Sequence, residues 1–438
     1  MIAAADAFEE LESDVRRYCR LWPAVFSKAK GSHIYDERGG RYLDFFAGAG
    51  TLNYGHNHPH LKDALLRYLQ DDSIVHSLDM YTTAKRQFLE AFQQDILAPR
   101  GFRYKAQFPG PAGCTAVEAA LKLARKYTGR SSVATFTNSF HGMTLGALAV
   151  SGQASLRKAA GPLAGDVIVL PYDRAGHNCE EACTQLDRLL DEGAIETPAA
   201  MIVETTQGEG GMQTASAGWL RQLASFCGKR GVLLIVDDVQ MGCGRTGPFF
   251  SFEHAGITPD MVCLSKSLSG FGLPFALTLL RPELDVWTPG EHSGTFRGLN
   301  LAFVTAAAAI DLWRDGVLEQ STLAKGIVVQ DALRAIAADH GFPEDAVRGR
   351  GMAWGLAFRD KDVAGQVCRH AFESGLLVET SGSGGEVIKL LPPLTIADGD
   401  LALGLDIFQA ALRSAQRDLL ASDSGQEADT GTGTLSRA

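Results

Sequence analysis

The chain has 438 residues, 45% of them hydrophobic and 21% charged, which is typical of a globular protein large enough for two domains. Its formal net charge is −10 and no basic run occurs, so we do not expect nucleic-acid binding. Residues 1–12 lack the features of a signal peptide, and no apolar run approaches the roughly 20 residues that a membrane span needs. The eight cysteines are scattered without metal-ligand spacing, so we expect a cytoplasmic location, no metal site and no membrane partner.

The chain opens with a predicted helix over 8–21, a hairpin over 32–46 and a Gly-rich loop over 48–59. From about 60 to 300, helical stretches alternate with short apolar runs. The helices are predicted over 60–70, 82–96, 115–128, 181–192 and 217–230, and the strands over 132–136, 167–170, 199–203, 232–236, 261–264 and 275–280. Continuous apolar runs are typical of strands that helices cover on both faces, so an α/β domain with a mostly parallel sheet is predicted.

A long helical stretch over 300–340 leads into a second α/β segment. Its strands are predicted near 353–358, 376–380 and 387–391, and its helices near 361–374 and 400–419. We expect residues 1–59 and 316–421 to form a small domain and residues 60–315 a large one. Residues 422–438 are small and polar, which predicts a disordered tail.

Two charged residues follow buried strands of the predicted large domain. Asp237 closes the apolar run 232–236, and Lys266 follows the run 261–264. In open parallel sheets, ligands bind outside the carboxyl ends of the strands. A lysine can form a Schiff base with pyridoxal phosphate, and an aspartate can keep its pyridine nitrogen protonated. The pair therefore favours a site for that cofactor.

Three neighbouring segments fit this interpretation. Gly113 and Cys114 open a strong helix whose amides can bind a phosphate, although an ordinary capped helix has the same pattern. Phe140 can stack on a cofactor ring, although it also suits a core position beside a turn. Glu209 lies among glycines after the strand 199–203, which favours a site lining over a surface turn.

Together these segments resemble class III pyridoxal-phosphate aminotransferases. The run Asp237–Gly247 is similar to the Asp-Glu-Val-Gln-x-Gly-x-Gly-Arg-Thr-Gly signature of that family, and Asn53–Pro59, Ser265–Lys266 and Gly294–Gly298 match as well. The resemblance covers about residues 25 to 420. It implies fold type I, with a large domain built on a seven-stranded, mostly parallel sheet and a smaller α/β domain from both chain ends. Stretches around Phe140, Lys266, Pro289 and Val387 resemble the diaminobutyrate–2-oxoglutarate aminotransferases that make ectoine precursors.

The resemblance also implies roles for single residues. Lys266 resembles the Schiff-base lysine and Asp237 the pyridinium partner, so these two are the catalytic candidates. The other cofactor-binding candidates are Gly113 and Cys114 at the phosphate, Phe140 and His141 at the ring, Gln240 near the phenolic oxygen, and Thr295 as a phosphate contact from a neighbouring subunit. The last role implies a homodimer or tetramer with its active site at the subunit interface.

Three positions depart from the family pattern. The arginine that ornithine-type members pair with the equivalent of Glu209 is Lys389 here. A lysine is a point charge and not a bidentate fork, so Glu209 and Lys389 are tentative substrate residues. The lysine favours the diaminobutyrate subfamily, whereas Ser293 and Leu299 stand where that subfamily usually has asparagines.

The predicted reaction moves the amino group of L-glutamate to L-aspartate 4-semialdehyde, which gives L-2,4-diaminobutyrate and 2-oxoglutarate. Three alternatives remain open. The first is another ω-aminotransferase of the class, acting on ornithine, acetylornithine or 4-aminobutyrate. The second is an aminomutase of the same fold, which needs no keto acid. The third is a cofactor-binding regulator, which the missing basic patch disfavours.

Overall fold

The computed structural model describes residues 4–161, 163, 166–173 and 179–429. Its strands are β1 (Phe26–Lys30), β2 (His33–Asp36), β3 (Arg41–Asp44), β4 (Lys105–Gln107), β5 (Val133–Phe136), β6 (Val167–Leu170), β7 (Ala200–Val203), β8 (Thr206–Gln207), β9 (Gln213–Thr214), β10 (Leu233–Asp237), β11 (Met261–Leu264), β12 (Leu277–Leu280), β13 (Val347–Arg350), β14 (Ala353–Ala357), β15 (Leu376–Leu377), β16 (Glu379–Ser381) and β17 (Val387–Leu390).

The α-helices are α1 (Ala4–Leu11), α2 (Tyr18–Leu21), α3 (Ala47–Gly50), α4 (Pro59–Gln70), α5 (Thr83–Ala91), α6 (Gly113–Thr128), α7 (Leu145–Ala149), α8 (Ala154–Lys158), α9 (Cys179–Asp191), α10 (Ala217–Arg230), α11 (Asn300–Asp311), α12 (Val317–Asp339), α13 (Lys361–Glu373) and α14 (Asp398–Asp429). A π-helical turn over Phe92–Leu97 extends α5. None of the helices in the described ranges is long and apolar enough to cross a membrane.

A seven-stranded sheet in the order β4-β12-β11-β10-β7-β5-β6 forms the centre of the fold. Strand β12 is antiparallel to both neighbours, and the remaining ladders are parallel. Ile235 packs in one apolar cluster with Val117 of α6, whereas Val236 packs in another with Leu220 of α10. Successive strand residues point to opposite faces, so two covered faces require the continuous apolar run. The predicted fold class is confirmed.

A second, four-stranded sheet joins the two ends of the chain. Its order is β1-β2-β3-β15, and β15 runs parallel to β3 with Leu376 opposite Leu43. A third sheet, β13-β14-β17-β16, carries antiparallel ladders that place Lys389 opposite both Gly355 and Glu379. Ala353 of β14 and Val387 of β17 share an apolar cluster with Met241, so this third sheet packs against the segment that follows β10.

The structure differs from two expectations at the chain ends. The expected helix over 8–21 is interrupted at residues 12–17, where Ser13 Oγ accepts a hydrogen bond from the Val15 amide and Ser13 O accepts one from Arg16 Nε. Such side-chain bonds to the backbone compete with helical ones. Helix α14 continues to Asp429, past the expected tail boundary at 422, because extending an existing helix avoids the cost of nucleation. The rest of the predicted tail, residues 430–438, lies outside the described residues.

Candidate active site

The carboxyl ends of three adjacent parallel strands meet at one edge of the central sheet. Strand β10 lies between β7 and β11, and it ends at Asp237. Glu204 follows β7, and Ser265 with Lys266 follows β11. Neighbouring β5 leads into the loop with Phe140 and His141. Parallel pairing thus gathers ionisable side chains from distant sequence positions into one place.

Lys266 is held in a backbone conformation that few non-glycine residues adopt, with a φ of 46°. Hydroxyls on both sides of it fix this turn. Ser265 Oγ donates to Phe275 O at 2.7 Å, and Ser267 Oγ donates to Gly50 O at 2.7 Å. Burial lowers the pKa of Lys266 to about 8, against the opposing charge of Glu209. A larger fraction of the amine is therefore neutral near pH 8, and the neutral amine is the nucleophile and the base.

Asp237 is buried, and each of its carboxylate oxygens has a polar partner. Its Oδ2 is 2.7 Å from His141 Nδ1, and its Oδ1 accepts a hydrogen bond of 3.2 Å from the Val239 amide. The His141 amide donates to Ser151 Oγ at 3.0 Å, which fixes the loop that carries the imidazole. A carboxylate fixed in this way can stabilise an adjacent positive charge without reorganising.

The N-terminus of helix α6 lies beside Asp237 and Lys266. Its first amides, at Gly113 and Cys114, have no acceptor within the helix, and they can bind an anion there. The backbone packs closely: a Cβ on Gly113 would lie 2.7 Å from Val239 Cγ1, and one on Gly142 would lie 2.4 Å from Cys114 Cβ. Glycine is therefore required at both positions.

A cavity of about 300 Å³ lies between these groups. Among the eight predicted cofactor residues, seven line it: Gly113, Cys114, Phe140, His141, Asp237, Gln240 and Lys266. The cavity combines a helix N-terminus for a phosphate, apolar side chains from Phe140 and Val239 for a ring, a carboxylate for the ring nitrogen, and an amine for an aldehyde. These residues fit pyridoxal phosphate.

The eighth predicted residue, Thr295, is exposed and lies outside the set of described residues that line this cavity. Its carbonyl oxygen is 3.0 Å from His76 Nε2. Within one chain it therefore makes no contribution to the site, and its predicted role across a subunit interface stays a prediction.

The two tentative substrate residues form an ion pair. Lys389 Nζ is 2.6 Å from Glu209 Oε1, and the same oxygen accepts a hydrogen bond of 3.2 Å from Gln240 Nε2. Burial raises the pKa of Glu209, but Lys389 and Lys266 outweigh burial and lower it to about 2. Glu209 lines the cavity, whereas Lys389 is fully buried behind it. Of the two tentative substrate residues, Glu209 therefore faces the cavity directly, and Lys389 contacts it through Glu209.

Val239, Glu204 and Glu379 lie near the cavity and had no individual role in the prediction from sequence. Val239 lines it and packs on Gly113. Glu204 lines it too and accepts a 2.9 Å hydrogen bond from the Phe140 amide, and burial together with the charge of Asp237 raises its pKa well above the usual range. Glu379 is buried 3.0 Å from Lys389 Nζ. Glu204 belongs to the acidic segment after the strand 199–203, which predicts a site lining, and Val239 belongs to the signature run Asp237–Gly247, but no local signal marks Glu379.

A protein-family model matches most of the chain. The model for "Aminotransferase class-III" matches residues 16–412. Curated relatives agree with it. A diaminobutyrate–2-oxoglutarate transaminase from Nocardia farcinica is 58% identical over 413 residues, covering 94% of each protein. A protein of the same name from Halomonas elongata is 51% identical over 414 residues, covering 93% of this chain and 98% of the relative.

Solved structures show the same fold. The ornithine aminotransferase from Toxoplasma gondii, described with partial occupancy of PLP at its active site, is 28% identical with a TM-score of 0.80, and 94% of each chain is covered. A transaminase from a marine Virgibacillus has a TM-score of 0.85 at 19% identity, over 94% of this chain and 98% of its own. By its family match, its curated relatives and its fold, this chain belongs to the class III aminotransferases.

Proposed function

We propose that this enzyme is a diaminobutyrate–2-oxoglutarate transaminase that uses pyridoxal phosphate. It moves the amino group of L-glutamate to L-aspartate 4-semialdehyde, reversibly and by a ping-pong scheme. The main support is sequence similarity. Eight curated relatives of that name are 50–58% identical to this chain over at least 92% of its length. The cavity contains the groups that this chemistry needs.

When bound, the cofactor supplies an aldehyde that carries the amino group and a ring that accepts the electron pair of the substrate carbon. Lys266 provides the amine that holds the cofactor and, once freed, transfers a proton as base and then as acid. Its pKa of about 8 suits both roles near neutral pH. Asp237, held by His141, keeps the ring nitrogen protonated, and the N-terminus of α6 binds the phosphate.

Lys389 and Glu209 supply the tentative substrate contact. Glutamate carries a carboxylate on its reacting carbon, and diaminobutyrate carries none on the carbon of its 4-amino group. We infer that a carboxylate next to the reacting carbon binds Lys389 in place of Glu209. The support is the direct contact of 2.6 Å between the two side chains and the position of Glu209 at the cavity wall.

The absorbance spectrum of the purified holoenzyme tests this function. Adding 2,4-diaminobutyrate without a keto acid is expected to convert the cofactor to its aminated form. The same conversion is expected with glutamate. A response to ornithine or 4-aminobutyrate but not to diaminobutyrate would assign the protein to another ω-aminotransferase, and turnover without 2-oxoglutarate would favour an aminomutase.

We also propose that the enzyme acts as a homodimer or a tetramer. The support is an exposed apolar patch beside Thr295, formed by Ile74, Val75, Leu78, Met80, Tyr81 and Phe296. His76 ties this segment to Phe296, with ring centroids 5.6 Å apart. A second copy covering the patch would bring its own Thr295 towards the first chain's site. Light scattering of wild type and Phe296→Asp tests this: a monomeric variant with low turnover is expected, and a wild-type monomer with full activity would refute it.

Two further inferences concern the whole chain. We propose domain boundaries near residues 59 and 315, supported by the sheet that pairs β3 with β15. We propose a cytoplasmic location, supported by eight cysteines that are scattered along the sequence, as is usual for a reducing compartment.

A further inference from the structure

Lys389 lies between two carboxylates. Its Nζ is 2.6 Å from Glu209 Oε1 and 3.0 Å from Glu379 Oε1. Glu379 is directly opposite Lys389 in the antiparallel β16–β17 ladder, so the pairing register fixes this contact. Glu379 and Lys389 are 1% and 0% exposed. The proposed chemistry gives Glu379 no role, although a buried carboxylate is costly to keep.

The two carboxylates differ in their access to the cavity. Glu209 lines the cavity and also contacts Gln240, whereas Glu379 is not among the described residues that line it. An entering substrate carboxylate can therefore replace Glu209 at Lys389, but it cannot replace Glu379. If Glu209 were the only partner, each exchange would pass through an unpaired buried ammonium group, which is strongly unfavourable.

We propose that Glu379 is a positioning residue that keeps Lys389 charged and in place while Glu209 exchanges for the carboxylate of glutamate or 2-oxoglutarate. This inference rests on the proposed function. The reaction of the dicarboxylate substrates should therefore require Glu379. The reaction of diaminobutyrate, which has no carboxylate on its reacting carbon, should not.

The test is Glu379→Gln in the holoenzyme, which removes the charge and keeps the shape. In a ping-pong scheme, kcat/KM is measured separately for each substrate. We expect kcat/KM for 2-oxoglutarate to fall about 10- to 100-fold, the range for losing a charge-assisted contact. The kcat/KM for diaminobutyrate should stay within about twofold of the wild-type value, because Glu209 and Lys389 remain in contact when that substrate binds.

Glu386→Gln is the matched control. Glu386 lies on the same β16–β17 hairpin, and its Oε2 accepts a 2.8 Å hydrogen bond from the Gly384 amide. The substitution removes one negative charge from the same hairpin without touching the Lys389 pair, so both kcat/KM values should stay at the wild-type level. Calorimetric titration with glutarate, which has the carboxylates and no reacting group, should show weaker binding to Glu379→Gln and unchanged binding to Glu386→Gln.

The pH dependence separates positioning from a general structural defect. Within the described part of the chain, the ionisable groups that interact with the charge of Lys389 include Glu209, Glu379, Lys266 and Tyr18. Burial raises the pKa of Tyr18 to about 12, so it stays neutral through the tested range, and Lys266 affects both substrates equally. Removing a carboxylate lowers the pKa of Lys389, so the defect for 2-oxoglutarate relative to diaminobutyrate should grow as pH rises.

The outcomes are distinct. Equal losses for both substrates, or no loss for 2-oxoglutarate, would overturn the role of Glu379. If Glu379→Gln does not fold, Glu379→Asp retains the charge and should show a smaller loss confined to 2-oxoglutarate, and an equal loss for both substrates would again overturn it. Wild-type enzyme that fails to react with diaminobutyrate would instead refute the proposed function.

Discussion

The charge of Glu209 acts on two lysines, Lys266 and Lys389, whose pKa values are shifted in opposite directions. Among the described residues, Lys266 forms no ion pair with a carboxylate, and burial lowers its pKa to about 8. Lys389 contacts two carboxylates within 3.0 Å, and they raise its pKa above the ordinary value despite burial. The same side chain is therefore a reactive amine in one place and a fixed cation in the other. The number of carboxylates in contact, more than the depth of burial, sets the difference.

The largest expected effect comes from removing the reactive amine. Lys266→Ala should lower turnover by about 10⁴-fold or more, because both the covalent attachment and the proton transfer are lost. An assay with diaminobutyrate and 2-oxoglutarate measures this. Lys229→Ala, at an exposed position of α10, is the control that should keep wild-type turnover. Normal turnover in Lys266→Ala would eliminate the assignment of the catalytic lysine.

Removing the fixed cation should mainly cost stability. Lys389→Met leaves Glu209 and Glu379 close together and without their cation, so the free energy of unfolding should fall by about 3–5 kcal/mol. Denaturant titration of the cofactor-free proteins measures it. Adding Glu209→Gln and Glu379→Gln to this variant should recover most of the loss, and a triple variant as unstable as the single one would show that packing, not charge, dominates.

Removing the charge of Lys266 should instead raise the free energy of unfolding at neutral pH. Its folded-state pKa of about 8 is below its unfolded value of roughly 10.4, so the folded protein binds fewer protons between these limits. Stability from this group therefore rises with pH across that window and is lowest below pH 8. In the cofactor-free protein, Lys266→Met should be more stable than wild type by about 1–3 kcal/mol at pH 7. The advantage should disappear above about pH 10. A difference that does not change with pH would contradict the lowered pKa.

The smallest effect is expected at Arg245, a buried cation whose side-chain hydrogen bonds, within the described part of the chain, all go to uncharged acceptors. Arg245 donates to Asn53 Oδ1 from Nε at 3.1 Å, and from Nη1 to Met352 O at 3.0 Å and Pro392 O at 2.6 Å. Arg245→Lys keeps the charge and loses the planar fork, so unfolding free energy should fall by about 1–2 kcal/mol. A loss as large as that of Lys389→Met would show that neutral acceptors hold a buried cation as firmly as carboxylates do.

The sequence predicted Asp237 and Lys266 because each one directly follows an apolar run, and parallel strands place such residues at one edge. The alternation of elements predicted the central sheet for the same local reason. The contact between Lys389 and Glu379 could not be predicted, since it depends on the register of β16 against β17. The break before α2 depends on hydrogen bonds of the Ser13 and Arg16 side chains to the backbone, which apolar spacing does not reveal.

The pairing of β3 with β15 has a consequence for how the protein is made. Strand β3 is synthesised early, and its parallel partner at Leu376–Leu377 leaves the ribosome only near the end of translation. Until then, one edge of β3 presents unpaired backbone groups, which is the feature that promotes association between nascent chains. Contacts between distant parts of a chain also form slowly. We therefore expect truncation before residue 376 to give aggregates rather than a shorter folded enzyme.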